Sequence, residues 1–158
     1  MTVKKLSVAA FRRYLMMFGM SLIPFASLRA LILRLCGVRI GKDCYIGFNV
    51  FCDTNFADLI VIGDRVTISH NTAIFAHTAT PVVTHLSRIY EDVKPVSIGD
   101  GAWIGAHCLI LPGVNVAEHC MIGAGSVVTK STEPYSLYAG NPARKIKELQ
   151  LPQTTGQQ

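Results

Sequence analysis

The stretch from Val96 to Ser131 reads, in sixes, VSIGDG AWIGAH CLILPG VNVAEH CMIGAG SVVTKS. The third place of every block is aliphatic: Ile98, Ile104, Ile110, Val116, Ile122 and Val128. A six-residue period fits neither the two-residue repeat of a strand nor the 3.6-residue repeat of a helix. It fits a coil with three flat sides, each a short strand and a turn, so that about eighteen residues close one rung. The third-place residue then points inward. Successive rungs stack Ile98 on Val116, Ile104 on Ile122 and Ile110 on Val128. The same phase recurs upstream at Ile40, Ile46, Ile62, Ile68 and Ile74, with Cys52 holding one intermediate place. An antiparallel sandwich alternates at period two and does not keep this phase. The chain is therefore expected to be mainly β, a parallel β-helix of several rungs, since one rung alone has no neighbour to bury its core.

Other places of the block carry their own pattern. Glycine follows the inward residue at Gly41, Gly47, Gly63, Gly99, Gly105 and Gly123. Freedom of φ at a corner is the expected reason. Cys44, Cys108 and Cys120 stand two residues before a repeat isoleucine, where Ala102 and Ser126 hold the equivalent place. This reads as a column of small packing residues. The five cysteines include no CxxC pair and are odd in number, so a disulfide or zinc framework is a poor reading, and reduced thiols suit a cytosolic setting. His107, His119 and His70 are assigned to the sixth place, where side chains turn outward.

The phase breaks twice. Four extra residues lie between Cys52 and Ile62, within CDTNFADLIVI. Between Ile74 and Ile98 the chain reads FAHTATPVVTHLSRIYEDVKP, with no aliphatic-glycine step. A loop over 80–94 is expected to leave the coil there, with Pro81, Leu86, Ile89 and Tyr90 as apolar surface; long loops on regular scaffolds are usually functional or disordered.

Charge is distributed unevenly. Up to Arg39 there are Lys4, Lys5, Arg12, Arg13, Arg29, Arg34 and Arg39 and no acid, while the rest of the chain is slightly acidic. A nucleic-acid face on the coil has no support. The same N-terminal segment is apolar: YLMMFGMSLIPFASL separates Arg13 from Arg29, with Pro24 as a break. That is short of the roughly 20 residues of a membrane span, and no convincing signal-peptide cleavage site follows. Two short helices are expected, lying on an anionic membrane face with arginines at the headgroups. The alternative is a helical cap packed on the end of the coil. The organisation read here is a helical segment over 1–36, the coil with its loop over 37–149, and a flexible tail over 150–158.

IGDGAWIGAHCLILPGV, IGAGSVVTKS and YAGNPARKIKEL together resemble the hexapeptide-repeat acyltransferases, nearest the branch of galactoside, maltose and serine O-acetyltransferases. The resemblance implies a left-handed parallel β-helix, a homotrimer with sites between neighbouring coils, and transfer of an acetyl group from acetyl-CoA, without a metal. It implies a cytoplasmic enzyme; the basic, apolar N-terminus adds peripheral contact with the inner face of the membrane. An acceptor hydroxyl is a weak nucleophile at neutral pH and needs a positioned base, for which histidine is best poised. His77, in IFAHTATP, occupies the place of the family's catalytic base. His85 is expected to face the acceptor from the loop, and Asp53 and Asn55, at the first break, to hydrogen-bond a sugar hydroxyl, to orient the base or to close a turn. Trp103 matches the family's residue beside the thioester passage. Ala106, Gly123 and Ala124 are small enough for the pantetheine arm, and His107 lies nearby. Thr129 and Lys130 match residues near the nucleotide end, and Arg144 and Lys147 match cations that meet phosphates. The histidine spacings exclude the His-x4-His pair of γ-type carbonic anhydrases, which share the coil.

The implied activity is O-acetylation of a carbohydrate, a surface polysaccharide sugar or its lipid-linked precursor suiting the N-terminus best. N-acylation of an amino sugar, acetylation of an antibiotic, and a non-enzymatic scaffold are the other readings.

Overall fold

A computed structural model describes residues 3–78 and 93–150, with side chains from Ala10 onward. The expected loop over 80–94, His85 included, and the tail lie outside the described residues except for Val93, Lys94 and Gln150. Two helices, α1 (Val3–Leu22) and α2 (Ala26–Cys36), precede the coil. The strands fall into three parallel sheets that form the sides of a left-handed β-helix. Side A holds β1 (Arg39–Ile40), β4 (Ile60–Ile62), β7 (Val96–Ile98) and β10 (Asn115–Val116). Side B holds β2 (Tyr45–Ile46), β5 (Thr67–Ile68), β8 (Trp103–Ile104) and β11 (Met121–Ile122). Side C holds β3 (Phe51–Cys52), β6 (Ala73–Ile74), β9 (Leu109–Ile110) and β12 (Val127–Val128). A hairpin of β13 (Ser136–Gly140) and β14 (Ala143–Glu148) closes the far end of side B.

The register is the one the hexapeptide phase demands. Ile62 pairs with Ile98 and Ile98 with Val116. Ile68 pairs with Ile104 and Ile104 with Ile122. Cys52 pairs with Ile74, Ile74 with Ile110 and Ile110 with Val128. All of these are buried. Burying one such aliphatic side chain contributes roughly 1.5–3 kcal/mol, so the columns supply the main stabilisation of the coil. The small-residue column also holds. Ala102, Cys108, Cys120 and Ser126 are buried, and the Cys44 and Cys108 thiols donate to the carbonyls of Gly63 and Gly123 in the next coil. Cys52 has its thiol pushed up to about 12, first by burial and then by the neighbouring Cys36 and Asp53.

The reason expected for the fourth-place glycines is corrected. None of them is left-handed; what they allow is close approach. A Cβ on Gly99 would stand 2.5 Å from the backbone nitrogen of Glu118, and one on Gly47 would stand 2.7 Å from that of His70. The left-handed corner is the sixth place: Asp43, Asn49, Arg65, Asn71, Gly101, His107, Gly113, His119 and Gly125 all have φ between 52° and 80°. Asn, Asp, His and Gly are the residues that enter this region at least cost. There the N–H turns backward, from Asn71 to the Phe48 carbonyl and from His107 to that of His70. His70 was assigned one place too far along. Asn71 holds the corner, and His70 accepts the Phe48 N–H at 2.8 Å and stacks on the Phe48 ring.

The helices cap the first coil. Coil N–H groups along the strands point toward later coils, as from Gly41 to the Ile62 carbonyl. The carbonyls of the first coil therefore face outward at the N-terminal end and need donors. Arg29 is 1 % exposed and donates from Nε to the Ile46 carbonyl at 2.8 Å, from Nη1 to Ile23 at 2.6 Å, and lies over the Phe48 ring. Arg34 donates to the carbonyls of Ile40 and Gly41. These two arginines thus serve the end of the coil and not headgroups, a correction to the sequence reading. Met16, Met20, Ile32 and Leu33 turn toward the coil and are buried. No described helix is long and apolar enough to cross a membrane.

Replacing Gly99 by Ala should lower stability by about 2 kcal/mol or more, since backbone must move. Gly125→Asn, at an open corner, should cost under about 1 kcal/mol. Arg29→Met should cost about 3 kcal/mol by orphaning the Ile46 carbonyl. Denaturant melts of the three variants check this order.

Candidate active site

The three sides of the coil meet at three edges, and the candidate residues distribute over them unequally. His77, Asp53, Asn55, Thr129 and Lys130 all lie just after side-C strands, on the edge where side C turns into side A. Ala106, Gly123 and Ala124 lie on the edge between sides B and C. Trp103 is on the outer face of side B, half exposed. Arg144 and Lys147 are on β14, beyond side B.

At the C-to-A edge, His77 and Asp53 come together across adjacent coils. The register of β3 with β6 brings Asp53, which follows Cys52, beneath the turn that follows Ile74. Asp53 is 2 % exposed and His77 21 %. The carboxylate is fully engaged. Oδ1 accepts the Asn55 N–H at 3.1 Å, and Oδ2 accepts the Ala76 N–H at 3.2 Å and meets His77 Nδ1. Asp53 therefore closes a turn and holds the imidazole at once. Both oxygens point into protein, unlike the exposed Asn55 grouped with it as acceptor-binding, so the geometry favours the turn-closing and base-orienting readings of Asp53. A carboxylate on Nδ1 fixes that nitrogen as the donor and leaves Nε2 as the acceptor.

Two further contacts set the ring. Phe56 opens the four-residue insertion, which forms a 3₁₀ turn over Ala57–Leu59, and its ring centroid lies 5.1 Å from that of His77. His77 also forms an isolated antiparallel bridge with Val93, and the Lys94 N–H donates to the Ala76 carbonyl at 2.9 Å. Sequence reading missed Phe56. The signal was the insertion itself, which had to displace its four residues toward whatever lay beside the corner. The Asn55 side chain is exposed, and its Oδ1 accepts from Arg13 of α1 at 3.1 Å, so the cap touches this edge.

The cofactor candidates do not converge within one chain. In a three-sided prism the C-to-A edge lies opposite side B, so His77 and Trp103 face away from each other. The B-to-C edge, with Ala106, Gly123 and Ala124, is separated from His77 by a six-residue side, on the order of 15 Å. On the hairpin, Lys145 is taken by Glu133 at 2.6 Å and Glu148 at 3.2 Å, which hold its ammonium above the usual range. Among the described residues no carboxylate pairs with Arg144, Lys147 or Lys130. These cations remain able to meet an anion. His107 is at a corner, with Nε2 3.3 Å from the Asn71 amide nitrogen, and His119 stacks on Tyr135. Both have structural partners.

Comparison with known proteins agrees with this architecture. Residues 95–130 match the family model described as bacterial transferase hexapeptide (six repeats), and residues 37–76 match hexapeptide repeat of succinyl-transferase. Galactoside O-acetyltransferase of Escherichia coli K12 is 37 % identical over 113 residues, 71 % of this chain and 54 % of that protein. The chain thus spans about half the length of the curated relatives it matches. The crystal structure of a maltose O-acetyltransferase from Clostridium difficile 630 superposes with a TM-score of 0.63 at 28 % identity, covering 95 % of this chain and 90 % of that one. A galactoside acetyltransferase in complex with coenzyme A gives 0.65 at 25 % identity, covering 95 % and 84 %. In its repeat, its coil and these matches together, the chain is similar to the hexapeptide-repeat acyltransferases.

Proposed function

We propose that this protein transfers an acetyl group from acetyl-CoA to a sugar hydroxyl, with His77 as general base. The observation that carries the reading is the Asp53–His77 pair: a buried carboxylate on Nδ1 beneath a partly exposed imidazole whose Nε2 is left to accept a proton. In this mechanism Nε2 takes the hydroxyl proton as the acceptor oxygen attacks the thioester carbonyl. The tetrahedral intermediate then collapses, the C–S bond breaks, and the proton passes from His77 to the departing thiolate. Asp53 keeps the ring in the reactive tautomer and stabilises the imidazolium, and Phe56 limits its rotation.

The distribution of residues supports a homotrimer with each site between two copies. One copy supplies His77, Thr129 and Lys130, and its neighbour supplies Trp103, Ala106, Gly123 and Ala124 along the pantetheine. Arg144 and Lys147 meet the phosphates, the guanidinium as a fork and the ammonium as a point charge. The acceptor side comprises the Asn55 amide and, from the loop, His85. Relatives named for galactoside and maltose acetylation support a carbohydrate acceptor. The apolar, basic cap favours a surface polysaccharide or its lipid-linked precursor at the cytoplasmic face over a free sugar. In this reading 1–36 is the cap, 37–149 the catalytic coil and 150–158 a tail.

Calorimetric titration of acetyl-CoA should show one site per chain, weakened about tenfold by Arg144→Ala, the loss of one charge-assisted contact; absence of binding to a folded protein would overturn the reading. His77→Ala should keep that binding and lose roughly 10²–10⁴ in kcat, followed as thiol release with a panel of sugar acceptors. Asp53→Asn should keep CoA binding and lose about 10²-fold or more, because the ring is then free to adopt the wrong tautomer.

A further inference from the structure

Among the described residues, nothing covers the outer side of the helical cap. Phe11, Phe18 and Leu22 of α1 are 66 %, 57 % and 74 % exposed, and Leu28, Leu31 and Leu35 of α2 are 41 %, 45 % and 59 % exposed. Spacings of seven and four in α1, and of three and four in α2, place each set on one side of its helix. The opposite sides carry the residues buried against the coil. Each helix is thus apolar on two sides, whereas a helix lying on a soluble core needs only one. A second, exposed apolar side on each helix calls for a cover.

Charge selects the cover. The segment up to Arg39 carries seven basic residues and no acid. Arg29 and Arg34 are held on backbone carbonyls, which leaves Lys4, Lys5, Arg12, Arg13 and Arg39 as the other cations of the segment. A second copy seated on this face would bring the same cations against the first set; an anionic bilayer brings the opposite sign. Phenylalanine and leucine beside arginine are the composition of a helix lying in the plane of the lipid interface.

We propose that the outer face of the α1–α2 pair docks on an anionic lipid bilayer. The helices lie flat, and neither spans it. A helix is about 10 Å thick and coils are spaced by about 5 Å, which puts His77, in the second coil, on the order of 15 Å from the docked face. The hairpin with Arg144 is at the opposite end of the coil. Resting on the acyl-transfer reading, this orientation lets a lipid-borne acceptor enter from the bilayer side and CoA from the aqueous side. Three caps at one end of a trimer would add avidity.

Vesicle co-sedimentation tests the docking without CoA or acceptor, so its failure is separable from failure of the catalytic reading. The full chain should partition at least about tenfold more strongly onto phosphatidylcholine vesicles containing phosphatidylglycerol than onto phosphatidylcholine alone, and less at high salt. Phe18→Ser with Leu31→Ser should lose that binding at least about tenfold while circular dichroism stays unchanged. Leu22→Ser with Leu35→Ser repeats the test if the first pair does not fold. No binding by the folded protein would overturn the proposal, and so would undiminished binding by the folded variants. A change in assembly size with the variants would overturn it too, since the face would then be covered by another copy.

Discussion

Every other feature of this molecule depends on the close axial stacking of one coil on the next. Parallel strands of two or three residues hold only because each coil lies in register on its neighbour and the inward Ile, Val and Cys side chains meet their counterparts. At 47, 99 and 105 that proximity leaves no room for a Cβ after the inward residue, and glycine stands there. It also places a left-handed residue at every corner from side A to side B and from side B to side C, where, from the second coil on, the reversed N–H reaches back to the coil before. The stacking fixes where an outward group can stand, to within the spacing of a coil. The Asp53–His77 pair is a product of this: a carboxylate in the first coil and an imidazole in the second meet because their columns are in register.

The two interruptions of the repeat carry the candidate site. A perfectly regular coil has a dry interior and outward side chains that only face water. The insertion after Asn55 turns Phe56 onto the His77 ring, and the chain returning at Val93 and Lys94 braces the His77 backbone. Arg13 ties the cap to the same edge through Asn55. The N-terminal helices therefore do more than close the hydrophobic end. They satisfy first-coil carbonyls through Arg29 and Arg34, and they touch the corner where His77 stands.

Much of this was legible in the residues. The third-place aliphatics dictated the coil and its register, because a period of six admits few geometries. His77, just past the last regular step before the repeat stops, stood out because the family's catalytic base occupies that place. The role of Asp53 was less legible: an Asp in a broken repeat reads equally as a turn, a ligand or a positioner, and only its burial against His77 decides. The basic N-terminus misled in part, since Arg29 and Arg34 have the same composition signature whether they meet lipid or backbone carbonyls. Glycine at the fourth place suggested φ freedom, but steric approach between coils, invisible in one dimension, was the cause.

The β-helix, the stacking partners and the position of both interruptions follow from a local period and its breaks, and the candidate base from the resemblance those motifs carry. Tertiary structure alone decided which residues share an edge. It put His77 with Asp53 and Phe56, Trp103 on side B, and Ala106 and Gly123 on the edge between sides B and C. The physical reason is that a three-sided coil folds residues six apart onto different faces and residues one coil apart onto the same one, so nearness along the chain and nearness in space part company.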